Sequence, residues 1–315
     1  TSLNAKIEDF FIKGANVTTF IDELTFKDHR GLEVKKLTAD FTYTKKNILL
    51  EQLAMNTPNS EMKGRVELKY DRKDFSDFNN KVVFDVEFDK ASIASNDLNF
   101  FYNEFGKNNI FYVDTHLVGT LNNFTTHNLK LTDKNQSEII GTANFQNLFG
   151  KENQEFYMKG SFDRITSDYE ALKIIMPRVL GKNLPSVLAK LGRVDLNGDV
   201  ELTQKYINAN VYLLSKLGIV DGDLAIQNID NIDNASYQGN IKLDNFDLGT
   251  LLSEKDLGKT TLDLDVDGKG FTQKLLNTSI EGTIKKFYYN GYNYQNVTVD
   301  GSMKMPYYKG YFNSN

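Results

Sequence analysis

The residues of this chain able to do chemistry are few and scattered. Three histidines, His29, His116 and His127, are the candidate general bases and imidazole ligands; they lie in unrelated segments without metal-ligand spacing and read as surface or turn residues. Asp263, Asp265, Asp267 and Gly268 have the first half of a calcium loop. The closing acid position falls on Lys274, though, and Leu264 and Val266 stand between the acids, so the aspartates read as the wet face of a strand. Asn-x-Ser/Thr occurs at Asn16, Asn123, Asn135, Asn234, Asn277 and Asn296, as an Asn- and Thr-rich chain gives by chance. There is no phosphate-binding glycine loop, nucleophile elbow or zinc motif, and no cysteine. The sequence therefore assigns no catalytic residue, metal or cofactor, and the expectation is a protein that is not an enzyme.

What repeats instead is glycine. Ten of the 22 glycines stand at the centre of apolar-x-Gly-x-apolar, where independent placement would give about three or four. They are Gly64, Gly119, Gly141, Gly160, Gly198, Gly222, Gly239, Gly282, Gly301 and Gly310. Side chains alternate across a strand, so each glycine shares a face with its apolar neighbours, which suggests a bend, a bulge or the close approach of another body. Gly64, Gly141, Gly222 and Gly301 are 77, 81 and 79 residues apart, and Gly119, Gly198 and Gly268 make a second series. The spacing predicts loose repeats of 70 to 80 residues.

The elements that must carry these glycines are strands. Alternation is plain in Val82, Phe84, Val86 and Phe88, in Val66, Leu68 and Tyr70, in Leu37, Ala39, Phe41 and Tyr43, and in Leu262, Leu264 and Val266, with Ile241 and Leu243 alike. One face is apolar and the other charged. Turn signals predict about 20 to 25 strands, among them a hairpin at Asn290-Gly291. Short amphipathic helices are expected at Leu98 to Phe105, closed at Gly106, and after Ser167, capped by Ser167 with Glu170 and stopped at Pro177. Others are expected at Leu184 to Leu191, closed by Gly192, and more weakly at Leu248 to Leu252. Each is too short to stand alone and must lie on a sheet's apolar side.

Composition narrows the class. The net charge of −5 comes from mixed acids and bases, so nucleic acid is not an expected partner. Four prolines and no linker-like stretch favour one continuous segment, residues 1–315, and a chain beginning at Thr1 reads as a piece of something longer. Stacked β-sandwiches satisfy the periodicity equally well. The alternative is an elongated, curved open β-sheet, U-shaped in section, whose inner face is an apolar groove. Its lining would be Leu37, Ala39, Phe41, Val66, Leu68, Val82, Phe84, Val86, Phe88, Ile241, Leu243, Leu262, Leu264 and Val266, with Gly64, Gly141, Gly222 and Gly301 on the same face.

Three features together resemble the TamB translocation and assembly module of Bacteroidota, within the AsmA-like superfamily. They are the units ending in Ser60-Glu61-Met62-x-Gly64 and Ser137-Glu138-Ile139-x-Gly141, the acidic helix starts at Asp97, Asp168 and Asp247, and the run from Gly282 through Lys286-Phe287-Tyr288-Tyr289-Asn290-Gly291 to Tyr294. The resemblance implies a β-taco crossing the periplasm. It would be anchored in the inner membrane through a segment absent from this chain, and would reach a TamA-type outer-membrane barrel through the parent protein. It would carry phospholipid or other acyl-chain cargo, or support outer-membrane protein insertion. Two other classes compete: a cell-surface adhesive or glycan-binding β-protein, which should present exposed aromatic platforms, and an outer-membrane β-barrel, which shares the alternation.

Overall fold

The computed structural model describes residues 2–29, 31–100, 105–148, 154–175, 184, 186–231, 233–270, 275–304 and 307–314. Among the described residues the fold is mainly β, with eighteen strands in open antiparallel sheet. It divides into two compact units, Thr1–Tyr157 with Ile174–Arg178, and Met158–Lys173 with Val179–Asn315.

In the first unit β1 (Ser2–Lys13), β2 (Asn16–Lys27), β3 (Glu33–Tyr43), β4 (Asn47–Asn56), β5 (Glu61–Lys69), β6 (Val83–Ala94), β7 (Ile110–Thr120), β8 (Asn123–Asp133) and β9 (Glu138–Gln146) form a meander, each paired with the next. A 3-10 turn (Arg72–Asp77) and α1 (Phe78–Lys81) join β5 to β6, and α2 (Ser95–Leu98) follows β6.

The second unit takes nearly all of β10 (Tyr157–Ser167) and then a meander of β11 (Val194–Thr203), β12 (Tyr206–Ser215), β13 (Gly218–Gln227), β14 (Ser236–Asp247), β15 (Leu257–Lys269), β16 (Asn277–Tyr289), β17 (Tyr292–Lys304) and β18 (Tyr307–Ser314). α3 (Tyr169–Ile175) and a 3-10 turn (Ser186–Leu191) lie between β10 and β11, and α4 (Leu248–Leu252) between β14 and β15.

Eighteen strands stand where turn signals predict more, because several of the polar residues that punctuate the sequence lie inside strands. Gln52, Lys90, Asn128, Asn245 and Asn296 take left-handed φ near +50°. At the first four the ladder slips by a residue, between Leu50 and Leu53, Phe88 and Ala91, Thr126 and Leu129, and Leu243 and Phe246. These are β-bulges, which bend a strand without ending it. The next residue turns inward: Leu53, Ala91, Leu129, Phe246 and Val297 are all buried. At Asn290-Gly291, by contrast, both φ are positive and Tyr289 lies opposite Tyr292, the type I′ hairpin the sequence predicts.

Besides the β5–β6 connection, helical connections follow β6, β10 and β14, four strands apart in chain order, and each of these three precedes a strand holding Gly119, Gly198 or Gly268. Their acidic starts do two different jobs. Asp168 Oδ1 accepts from the Ala171 N–H at 2.9 Å, and Asp247 Oδ1 from the Thr250 N–H at 2.9 Å, so both are N-caps. Asp168 thus replaces Ser167, the last residue of β10, in the capping role the sequence suggested. Asp97 lies inside α2, buried, and accepts from the Thr57 and Ser60 hydroxyls and from Asn59 Nδ2 at 3.1 Å, tying the helix to the β4–β5 turn. Gly192, with φ +68°, closes the turn ending at Leu191 as expected. Phe101, Tyr102, Met176, Pro177 and Pro185 lie outside the described residues.

Candidate functional site: the apolar sheet faces

Pairing aligns apolar residues in rows that run across the strands. In the first unit one row reads Thr19, Phe41, Leu50, Val66, Val86, Leu117, Thr126, Ala143, from β2 to β9. Beside it run Ile48, Leu68, Phe84, Gly119 and Phe124. In the second unit a row reads Leu196, Leu213, Val220, Leu243, Leu262, Ile284, Val297, from β11 to β17. The next reads Gly198, Val211, Gly222, Ile241, Leu264, Gly282, Val299. Cross-strand apolar pairs of this kind are the unit of sheet stabilisation.

The groove residues read from the sequence lie largely on these faces, and none of them is fully exposed. Leu37 and Ala39 are buried in a cluster with Ile21, Val34 and Leu53, against which Phe41 and Val66 pack. Leu68, Phe84 and Phe88 are half-buried, and Val86 is only 6% exposed. In the second unit Leu243, Leu262 and Leu264 are buried with Leu191, Leu217 and Phe246, with Ile241 and Val266 packed against them. Leu188 of the 3-10 turn and Leu248 and Leu251 of α4 cover this cluster, as a short amphipathic segment must.

Val82 departs from the sequence reading. It precedes β6, its N–H bonds to the Phe78 carbonyl at 3.2 Å, and its side chain is completely buried. Alternation did not reveal the connection before it: the segment from Arg72 to Lys81 coils, with Phe78 half-buried and Phe75 46% exposed. Their rings form a chain from Tyr70 to Phe84, with neighbouring centroids 4.6, 6.2 and 5.7 Å apart. The spacing of Phe75 and Phe78, three residues apart, was the available signal.

The glycines on the apolar faces are not alike. Gly64, opposite Leu53 and Phe88, has φ +152°, and a Cβ there would lie 1.8 Å from the Glu87 carbonyl oxygen. Gly239 has φ +142°, with the Asp223 carbonyl oxygen 1.9 Å from the same point. The body that approaches these glycines is the neighbouring strand's own backbone. Gly222 has ordinary extended backbone, with nothing closer than 3.8 Å to an added Cβ. Gly141 lies opposite Leu129, and Gly301 opposite Ile280 and Gly310.

The opposite face is charged and tightly paired. Glu67 is buried among Arg65, Lys69 at 3.5 Å and Asn47 Nδ2 at 3.1 Å. Asp85 accepts from Lys69 Nζ at 2.9 Å and His116 Nε2 at 2.9 Å, with Arg65 at 3.5 Å. Hydrogen bonds from Lys69 and then His116 hold the Asp85 carboxyl below its ordinary range, against a smaller upward push from burial. At Glu67 burial is the largest single influence and pushes upward, but the bonds from Asn47 and Arg65 and the Lys69 charge together outweigh it. A carboxyl depressed in the folded state binds fewer protons than its unfolded counterpart. The stability it adds is complete above the unfolded pKa, about 4, and is lost as pH falls through the folded value. Urea melts of Asp85→Asn should therefore show a flatter loss of stability between about pH 5 and pH 3 than the native chain; identical acid limbs would exclude a role for this cluster.

His116 and His127, which linear spacing treats as unrelated, are direct cross-strand neighbours with ring centroids 5.9 Å apart. A hairpin turn placed at Asn122 would have predicted it. Among the described residues no group of three metal-type side chains converges. The calcium-like aspartates lie along β15, where Asn240 Nδ2 bridges Asp263 and Asp265 at 3.0 Å each and Lys242 reaches Asp263 at 3.5 Å. An open recess beside α4 is lined by Asp247, Thr250, Glu254 and Lys259 among others, and in it the Thr250 hydroxyl donates to Asp247 Oδ2 at 2.7 Å. Among the described residues no helix is long and apolar enough to cross a membrane.

Fold and faces define the class: an open antiparallel meander with apolar rows on one side and paired charges on the other. No family model, curated protein or solved structure matches the chain.

Proposed function

We propose that the chain is a segment of a bridge-like periplasmic conduit of the TamB kind, in which the apolar rows guide acyl chains of phospholipids between the inner and outer membranes. The observation that carries this reading is the continuity of the rows across strands, seven strands from Leu196 to Val297. A lipid tail moving perpendicular to the strands meets apolar side chains at each step, while the charged face stays in water. The four-strand spacing of Gly64, Gly141, Gly222 and Gly301, in β5, β9, β13 and β17, fits the elongating repeat that such a bridge needs. Anchorage in the inner membrane, contact with a TamA-type barrel and support of outer-membrane protein insertion belong, in this reading, to the parent protein.

Photo-crosslinking tests it. Probes at Val266 and Ile280, neighbours on one apolar row, should capture labelled phospholipid, and probes at Asp265 and Asp267 on the other face of β15 should not. Equal capture from both faces, or capture from neither, would sink the conduit.

A specific observation favours the second reading, a glycan-binding or adhesive β-protein. Tyr288, Tyr289, Tyr292 and Tyr294 are all exposed around the β16–β17 hairpin, with the Tyr292 and Tyr294 rings 4.9 Å apart. Oligosaccharide binding that disappears in Tyr292→Ala with Tyr294→Ala, together with silent lipid probes, would select it.

A further inference from the structure

Two of the chain's three histidines meet on the charged face of the first unit. His116 of β7 and His127 of β8 lie directly opposite each other, with ring centroids 5.9 Å apart and planes inclined at 40°. Imidazole nitrogens sit about 2 Å from a tetrahedral zinc-type ion, which sets the centres of two rings on one ion about 5 Å apart. The observed gap is wider by about 1 Å, a difference that small χ rotations of two solvated rings close. His127 is exposed and the His116 side chain is 39% exposed, so an ion can reach both.

The second observation concerns a proton. His116 Nε2 stands 2.9 Å from Asp85 Oδ1. The Asp85 carboxylate, which also accepts from Lys69 Nζ at 2.9 Å, has only lone pairs to offer, so Nε2 is the nitrogen that carries hydrogen. In the neutral ring Nδ1 is then bare and able to bind a metal. A carboxylate that fixes the tautomer of an imidazole and raises its basicity is the usual support of a metal-bound histidine. Arg65 and Lys69 nearby are paired with Glu67 and Asp85, and Glu87, directly opposite His116 on β6, is exposed and adds negative charge to the row.

The donors select the class of ion. Calcium and magnesium take several oxygen ligands, and the chain has no cysteine to supply thiolate, so imidazole nitrogen is left as the donor for a borderline divalent ion. We infer that His116 and His127 chelate such an ion, of the copper, nickel or zinc type, with Asp85 as the positioning residue behind His116 and water in the remaining places. The ion joins β7 to β8 from the wet side of the sheet, beside the point where their ladder slips between Asp114 and His116. Two protein ligands make an open, exchangeable site, unlike the closed four-ligand sites that hold a fold together.

Copper(II) is the probe, because it heads the affinity order for such donors. The full chain should bind one ion at this site, with the splitting of two nitrogens in its electron paramagnetic resonance spectrum. His116→Gln and His127→Gln should each weaken binding by at least about tenfold, and the two together little more than either, because a chelate broken at one ring is lost as a unit. Both rings lie on the solvated face, so circular dichroism should not change. His29→Gln, at the third histidine, should bind as the native chain does. Asp85→Ala should weaken binding by about tenfold, and Asp85→Asn, whose carbonyl oxygen can still accept from Nε2–H, should restore part of the loss. Two ions per chain, each lost with its own histidine, would show independent imidazoles and overturn the chelate. Binding undiminished in the double histidine variant, or native affinity in Asp85→Ala, would overturn the inference as well.

Discussion

Gly239→Ala should destabilise the second unit by about 3 kcal/mol or more, while Gly222→Ala, one strand away on the same face, should leave it unchanged or stabilise it by up to about 1 kcal/mol. At Gly239 two costs act together. A positive extended φ of +142° is a region that side chains avoid, at about 1–3 kcal/mol, and the new methyl would be placed 1.9 Å from the Asp223 carbonyl oxygen, which belongs to the sheet and has no room to move. At Gly222 neither cost exists, since its backbone is ordinary and the nearest atom, on the flexible Leu224 side chain, is 3.8 Å away. Alanine there only removes unfolded-state entropy. Gly64→Ala in the first unit should behave as Gly239→Ala does, because its methyl would meet the Glu87 carbonyl oxygen at 1.8 Å. Urea melts of the three variants decide the matter, and equal effects at positions 222 and 239 would show that the backbone at Gly239 relaxes freely.

Val86→Asp is expected to be the most damaging single change on the apolar faces, costing about 4 kcal/mol or unfolding the first unit outright. Val86 lies between Val66 and Leu117 in a row closed on both sides, and at 6% exposure a carboxylate there has neither water nor a partner. Val266→Asp, half-buried at the side of its cluster between Gly239 and Ile280, should cost no more than about 2 kcal/mol and keep the fold. Linear alternation treats the two valines as equivalent groove positions, and burial separates them. Thermal melts check the order of the two effects. In the conduit reading a folded Val266→Asp should still lose phospholipid crosslinking at Ile280, since the new charge lies directly opposite, and normal crosslinking there would count against passage along this row.

The strands, the two-faced alternation, the Asn290-Gly291 hairpin and the positions of α3 and α4 were legible in the sequence because each rests on local physics. A two-residue period, a type I′ turn dipeptide or an N-cap acid acts within a few residues of itself. The polar-apolar order at Gln52-Leu53, Asn128-Leu129 and Asn245-Phe246 was equally visible, yet a bulge and a turn draw on the same residues, and only pairing with a neighbouring strand tells them apart. Tertiary structure alone decided which glycines are indispensable, since that depends on how closely the next strand's carbonyl approaches. It brought His116 to His127, gave Asp97 to the Thr57 and Ser60 hydroxyls instead of a helix cap, and left Val82 completely buried where α1 ends. Each of these depends on residues distant in sequence meeting across the sheet. Alternation states which side of a strand a residue occupies, and only the packed neighbours state how deep it lies.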